Sequence, residues 1–149
     1  MHSIHQVMSE DHKRCDDMFV EAQKHAARKD WVAAREYTDL FTRNVLQHFN
    51  HEENVLFPAF EQQTGMIHGP TQVMREEHQT MRELFDDLRQ AAAKESTSGF
   101  LGVAESLFIF MQQHNMKEEN VLYPMMDQNL SGNGLSDAYD LKKSNTCTV

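Results

Sequence analysis

The segment His48-Phe49-Asn50-His51-Glu52-Glu53-Asn54-Val55-Leu56-Phe57-Pro58 returns 66 residues later as His114-Asn115-Met116-Lys117-Glu118-Glu119-Asn120-Val121-Leu122-Tyr123-Pro124. The same offset continues upstream, where Met8-Ser9-Glu10-Asp11-His12 aligns with Met74-Arg75-Glu76-Glu77-His78, Phe19 with Phe85, and Ala26-Ala27 with Ala92-Ala93. The chain is therefore two copies of one unit: a helix carrying one repeated histidine, a turn, and a helix carrying His-x-x-x-Glu. A two-helix unit cannot bury its apolar stripe alone, so the copies must close on each other. The predicted fold is all-α, an antiparallel up-down-up-down four-helix bundle built from two similar helix hairpins.

Apolar spacing places the helices. Ser3 is a plausible N-cap for a first helix ending near Arg28, with Met8, His12, Cys15, Phe19, Ala22 and Ala26 on one stripe. Lys29-Asp30 makes a turn, and a second helix runs from Trp31 towards Phe57 with Ala34, Tyr37, Phe41, Val45, His48, Glu52 and Val55 inward. Pro58, which lacks an amide hydrogen, is expected to kink or end that helix. Glu61 to Gly69 reads as the linker between copies. A third helix starts near Pro70, and Glu95 to Gly99 reads as the next turn. The fourth helix turns Leu107, Met111, His114, Glu118, Val121 and Leu122 inward. After Leu130 the composition becomes polar, so residues 1–130 are read as the domain and 131–149 as a tail with at most one short helix, over 136–143.

Charge and composition narrow the partners. With 23 acidic against 14 basic residues the net charge is −9, which argues against a nucleic-acid or anionic-membrane surface. No apolar run approaches membrane length. Two cysteines, Cys15 and Cys147, make no disulfide framework, and no basic region followed by an apolar run opens the chain. A cytoplasmic location is the expectation.

The repeated histidines and glutamates carry the chemistry. On an α-helix, residues i and i+4 share a face, so each copy aims a nitrogen donor and an oxygen donor the same way. His12, His48, Glu52, His78, His114 and Glu118 all fall on inward stripes. Left without partners they would cost about 1–3 kcal/mol each. A pair of cations satisfies all six, with the two carboxylates bridging. Imidazole and carboxylate without thiolate suit non-haem iron or manganese, with zinc possible.

Over roughly Ile4 to Leu130, the pattern His … His-x-x-x-Glu … His … His-x-x-x-Glu, followed by Glu-Glu-Asn-Val-Leu-Phe-Pro and Glu-Glu-Asn-Val-Leu-Tyr-Pro, resembles the hemerythrin-like HHE cation-binding domain. The resemblance implies a di-iron centre with an oxo or hydroxo bridge, one iron on His12 and His48, the other on His78 and His114, bridged by Glu52 and Glu118. Oxygen-carrying hemerythrins place a second histidine one turn after the third-helix ligand, where this chain has Arg82. They also use an aspartate five residues beyond the fourth-helix histidine, where Glu119 stands. Without the extra imidazole both irons keep an open position, which favours a ligand shared between them and redox turnover over reversible carriage. The function implied is a protein that binds and reduces dioxygen, peroxide or nitric oxide in oxidative or nitrosative stress, with an electron donor that the sequence does not identify. If it turns over, it is an oxidoreductase. An iron- or oxygen-sensing module is the alternative, and an oxygen carrier or store the third.

Other residues near the motif have plainer readings. His51 aligns with Lys117 and is expected at the surface. Glu53 and Glu119 turn away from the ligand face and suit salt bridges or hydrogen bonds to ligand histidines. Glu10 with Glu76, and Asp11 with Glu77, also repeat; they read mainly as a solvated face, with one of each pair able to hold a histidine of the neighbouring helix. Tyr37, near three turns before His48, points inward above the site as a core aromatic or as a donor to a bound ligand. Cys15 reads as a small buried residue.

Overall fold

A computed structural model describes residues 2–130 of the chain; the tail assigned to 131–149, with its short helix, lies outside them. Six α-helices follow in order: α1 (Ile4–Ala27), α2 (Trp31–His51), α3 (Phe57–Thr64), α4 (Pro70–Ala93), α5 (Thr97–Lys117) and α6 (Tyr123–Leu130). A five-residue π-helical turn, Glu52–Leu56, joins α2 to α3 without a break, and Glu118–Leu122 joins α5 to α6. Four continuous helical runs result, with no strand among the described residues, and they pack as a helical bundle. None of the helices is long and apolar enough to cross a membrane.

Local chemistry sets the ends. The Ser3 side chain accepts from the Gln6 amide, Asp30 from Ala33, and Ser96 from Gly99, each satisfying an orphan donor of a first turn. Asp127 of α6 accepts from the Ile4 and His5 amides at 2.7 and 3.0 Å, placing a negative charge at the start of α1. The two hairpin turns are built alike. Lys29 and its repeat partner Glu95 have φ of 61° and 54°. Asp30 N donates to His25 O and Ser96 N to Ala91 O. Both are left-handed C-caps formed without glycine.

Several boundaries differ from the sequence reading. Pro58 does not end its helix. An α-helix would need an amide at Pro58 and would drive its ring into the Asn54 carbonyl. The chain instead widens by one residue, so that the Phe57 amide donates to Glu52 O, and Tyr123 to Glu118 O in the second copy. The helix then runs to Thr64, and Gly65, at φ 74°, caps it, so the linker is shorter than Glu61–Gly69. The second hairpin turn also closes earlier, with α5 starting at Thr97.

α1 packs on α2 and α5, α4 on α2 and α5, and α3 on α6. The core has two parts. One, towards the hairpin turns, includes Phe19, Phe41, Phe85, Leu88, Phe100 and Leu107. Phe41 meets Phe19 at 4.8 Å and Phe85 edge-on at 5.6 Å. The other, around the π turns, includes Met8, Leu56, Phe57, Phe60, Met74, Leu122, Tyr123 and Met126. Each buried side chain of this size contributes about 1.5–3 kcal/mol. On α1 and α4, His12 and His78 each sit between a methionine of the second part and a residue of the first, so a polar layer separates the two.

Candidate metal centre

His12 comes from α1, His48 from α2, His78 from α4 and His114 from α5, while Glu52 and Glu118 open the two π turns. All six are buried, none more than 7% exposed. Glu52, His78, His114 and Glu118 bring one ligand atom each within 4.8 Å of one another, and so do His12, His48 and Glu118. Glu118 belongs to both groups. His12 Nε2 and His114 Nε2 each lie 3.2 Å from Glu118 Oε1, and His78 Nε2 lies 3.2 Å from Glu52 Oε1.

Glu52 Oε1, His78 Nε2, His114 Nε2 and Glu118 Oε2 are buried without a hydrogen-bond partner. Four such atoms facing one another would together cost several kcal/mol. They are two nitrogen and two oxygen donors, so a cation fits them.

The outward nitrogens explain why the inner ones face in. Each Nδ1 meets a carboxylate: His12 with Glu119 at 2.7 Å, His48 with Asp11 at 2.8 Å, His78 with Glu53 at 2.5 Å and His114 with Glu77 at 2.8 Å. A protonated Nδ1 donating outward leaves Nε2 as the inward donor atom and holds the ring still. The carboxylates are anchored in turn. Arg14 donates to Asp11 at 2.9 and 2.6 Å and to Asn44, and Lys117 pairs with Glu77. Arg82 donates to both oxygens of Glu53 at 3.1 and 3.0 Å. The position where oxygen carriers add an imidazole is thus committed to the outer layer.

Electrostatics follow from these contacts. Burial by itself would lower the basicity of His48, but Glu52 and Asp11 outweigh it and hold the ring well above its ordinary value. For His114, burial is likewise overcome by Glu118 and Glu77, and its pKa is pushed up to about 10. His12 is raised because Glu118 and Glu119 outweigh its burial. Burial would raise Glu118, yet His114 and its other hydrogen bonds hold its carboxyl well below the usual range.

Several expectations are corrected here. Asp11 is fully buried against His48, and Glu77 contacts His114, so the solvated-face reading gives way to the alternative of holding a histidine of the neighbouring helix. His51 is buried at 5% exposure, not at the surface. Val121 is exposed at 53%, because the π turn rotates it outward. Tyr37 stacks on His25 at 5.4 Å. His25 lies 13 residues along α1 from His12, about 20 Å at the helical rise, so Tyr37 is not above the site.

The residue that sequence reasoning missed is Tyr123. Its hydroxyl lies 3.2 Å from both His12 Nε2 and His48 Nε2, 2.7 Å from Glu52 Oε2 and 3.0 Å from Glu118 Oε1. A repeat-level signal was present, since the partner of Tyr123 is Phe57.

The profile of the hemerythrin HHE cation binding domain matches residues 3–126. The chain belongs to that family. Over 96 residues it is 31% identical to the iron-sulfur cluster repair protein YtfE of Edwardsiella ictaluri, an alignment covering 58% of this chain and 43% of that protein. The chain therefore spans less than half the length of that relative. No solved structure matches it.

This HHE domain also encloses a small void of about 10 Å³ lined by His12, Cys15, Asp16, Val45, His48, Phe49, Met111 and Asn115. That is near the minimum for one water. Val45 and Met111 are repeat partners, as are Phe49 and Asn115, so the void straddles the symmetry between the copies. Phe49 also stacks on His78 at 3.7 Å, so one ring of the void's lining touches a histidine of the other pair.

Proposed function

We propose that this chain is a cytoplasmic non-haem di-iron protein that binds and reduces dioxygen, peroxide or nitric oxide. His12 and His48 would hold one iron and His78 and His114 the other, with Glu52 and Glu118 bridging. Four unpartnered donor atoms, in a group that shares Glu118 with a second group, carry the reading. The bundle is taken as antiparallel, since three-residue turns return each hairpin on itself.

Bound iron would supply electron transfer to a small ligand; manganese or zinc would fill the same donors without matching that chemistry. The protein's part is positional. Four Nδ1-to-carboxylate hydrogen bonds fix the imidazoles. Val45, Phe49 and Met111 pack beside His12 and His48, where the void is close to the size of one water. The acidic chain, at −9, suits an electron-donor protein with a basic face better than nucleic acid or membrane. A role under oxidative or nitrosative stress is consistent with the relative named for iron-sulfur cluster repair.

Metal analysis and absorption spectra of freshly purified protein, before and after azide or peroxide, test the proposal. Two irons per chain, spectral change with azide, and iron-dependent consumption of peroxide or nitric oxide are expected. A protein that carries no iron, or whose iron is indifferent to all these ligands, overturns it.

A further inference from the structure

The two halves of the centre are not equivalent. On the His78 side, the ring is sandwiched by Phe49 at 3.7 Å and Phe57 at 5.8 Å. On the His12 side, the repeat partners of those phenylalanines are Asn115 and Tyr123. Phe57 and Tyr123 occupy the same place after their π turns, five residues beyond Glu52 and Glu118. Only one of them carries an oxygen.

That oxygen contacts four donor atoms at 2.7–3.2 Å: Nε2 of His12 and His48, and one oxygen each of Glu52 and Glu118. A phenol has one hydrogen and cannot donate to both carboxylates at once. Two atoms bound side by side to one ion at about 2.1 Å stand about 3 Å apart. An apical ligand is that far from all four atoms around it, and this is the spacing seen at Tyr123. On the His78 and His114 side the donor atoms are instead left without partners.

The geometry points to Tyr123 as a further iron ligand, bound through its phenol oxygen to the ion held by His12 and His48 and to that ion alone. On ligation the O–H bond breaks, an Fe–O bond forms, and the proton leaves to solvent or a neighbouring carboxylate, with no change of oxidation state. This inference rests on the di-iron reading. It makes the pair asymmetric, with five protein donors around one ion and four around the other, so the ion on His78 and His114 keeps the more open coordination.

Ferric phenolate absorbs in the visible, and its ring modes are enhanced in resonance Raman spectra. Wild-type ferric protein is expected to show both features, with the ring modes shifting when tyrosine is ring-deuterated. Tyr123→Phe should lose them while two irons remain measurable. The chain has three tyrosines, so the double variant Tyr37→Phe/Tyr139→Phe, which leaves Tyr123 alone, should keep them; this arm stands even if Tyr123→Phe does not fold. Two bound irons with no tyrosinate signature in wild type would mean that the hydroxyl swings aside on loading, and would overturn the ligand assignment while sparing the di-iron reading. Retention of the signature in Tyr123→Phe overturns it equally, and absence of iron overturns both.

Discussion

Asp11 Oδ2 lies 2.8 Å from Nδ1 of His48, although 37 residues separate them, and Glu77 Oε1 repeats the relationship with His114 at 2.8 Å. The first helix of each hairpin thus orients the histidine of its second. Removing such an outer carboxylate typically lowers metal affinity 10–100-fold. Asp11→Asn should therefore weaken iron retention by about that factor in a chelator competition, with Glu77→Gln acting similarly on the other ion. Unchanged retention in both variants would remove any orienting role from these contacts.

His48→Ala or His114→Ala should lose iron, since each removes an inward Nε2. His51→Ala should keep it. Because His51 is buried at 5% exposure, that variant should nevertheless melt lower than wild type. Metal content and a thermal melt on the same samples separate the two effects; iron loss in His51→Ala would contradict the donor set.

Chelating the metal should lower the melting temperature. A ligand present at about 1,000 times its Kd stabilises by about 4 kcal/mol, which for a chain of this size is on the order of 10 °C. Calorimetry of loaded and chelated protein, with iron loss verified, checks this. Identical melts would speak against a buried core site.

The pH response should change sign between the two forms. In the metal-free protein His114 has its pKa raised from 6.5 to about 10. A raised histidine contributes stability fully below its ordinary value, and that contribution disappears as pH climbs through the folded value. Metal-free protein should therefore lose stability from about pH 6.5 towards 10. Loading displaces those protons, so the iron form should behave oppositely and release metal towards pH 5. Denaturant melts of the chelated protein and iron retention across that range measure the two limbs. Metal-free stability that rises through the alkaline window would refute the charged-histidine picture.

Lys29 and Glu95, both at positive φ, carry side chains where glycine is unstrained. Left-handed backbone costs about 1–2 kcal/mol per residue for L-amino acids, offset in part by the greater unfolded-state entropy of glycine. Glu95→Gly should therefore raise stability by up to about 1 kcal/mol, read by urea denaturation; its ion pair with Arg35 is exposed at 3.4 Å and counts for little.

The helical bundle and the inward placement of the six repeated histidines and glutamates were legible because the repeat is strict. Matched spacing between His12 and His48, and between His78 and His114, together with i and i+4 geometry, needs no tertiary information. The caps at Ser3 and Asp30 were legible for a similar local reason: a side-chain oxygen beside an amide that would otherwise be orphaned. The outer carboxylates were less so. Asp11 and Glu77 look like any acid one position off an apolar stripe, and only the packing of neighbouring helices turns them onto an imidazole.

What the sequence determined by itself is a doubled hairpin whose polar residues share one face, because helical periodicity and chain connectivity are local properties. What the tertiary structure decided is the path through Pro58 and Pro124. There the helix widens instead of stopping, since a five-residue turn spares the missing amide and the ring clash at little cost in packing. A regular α-helix would aim Val55 and Val121 inward. The π turn aims Phe57 and Tyr123 there, and so sets a phenol beside His12 and His48 and an apolar ring beside His78.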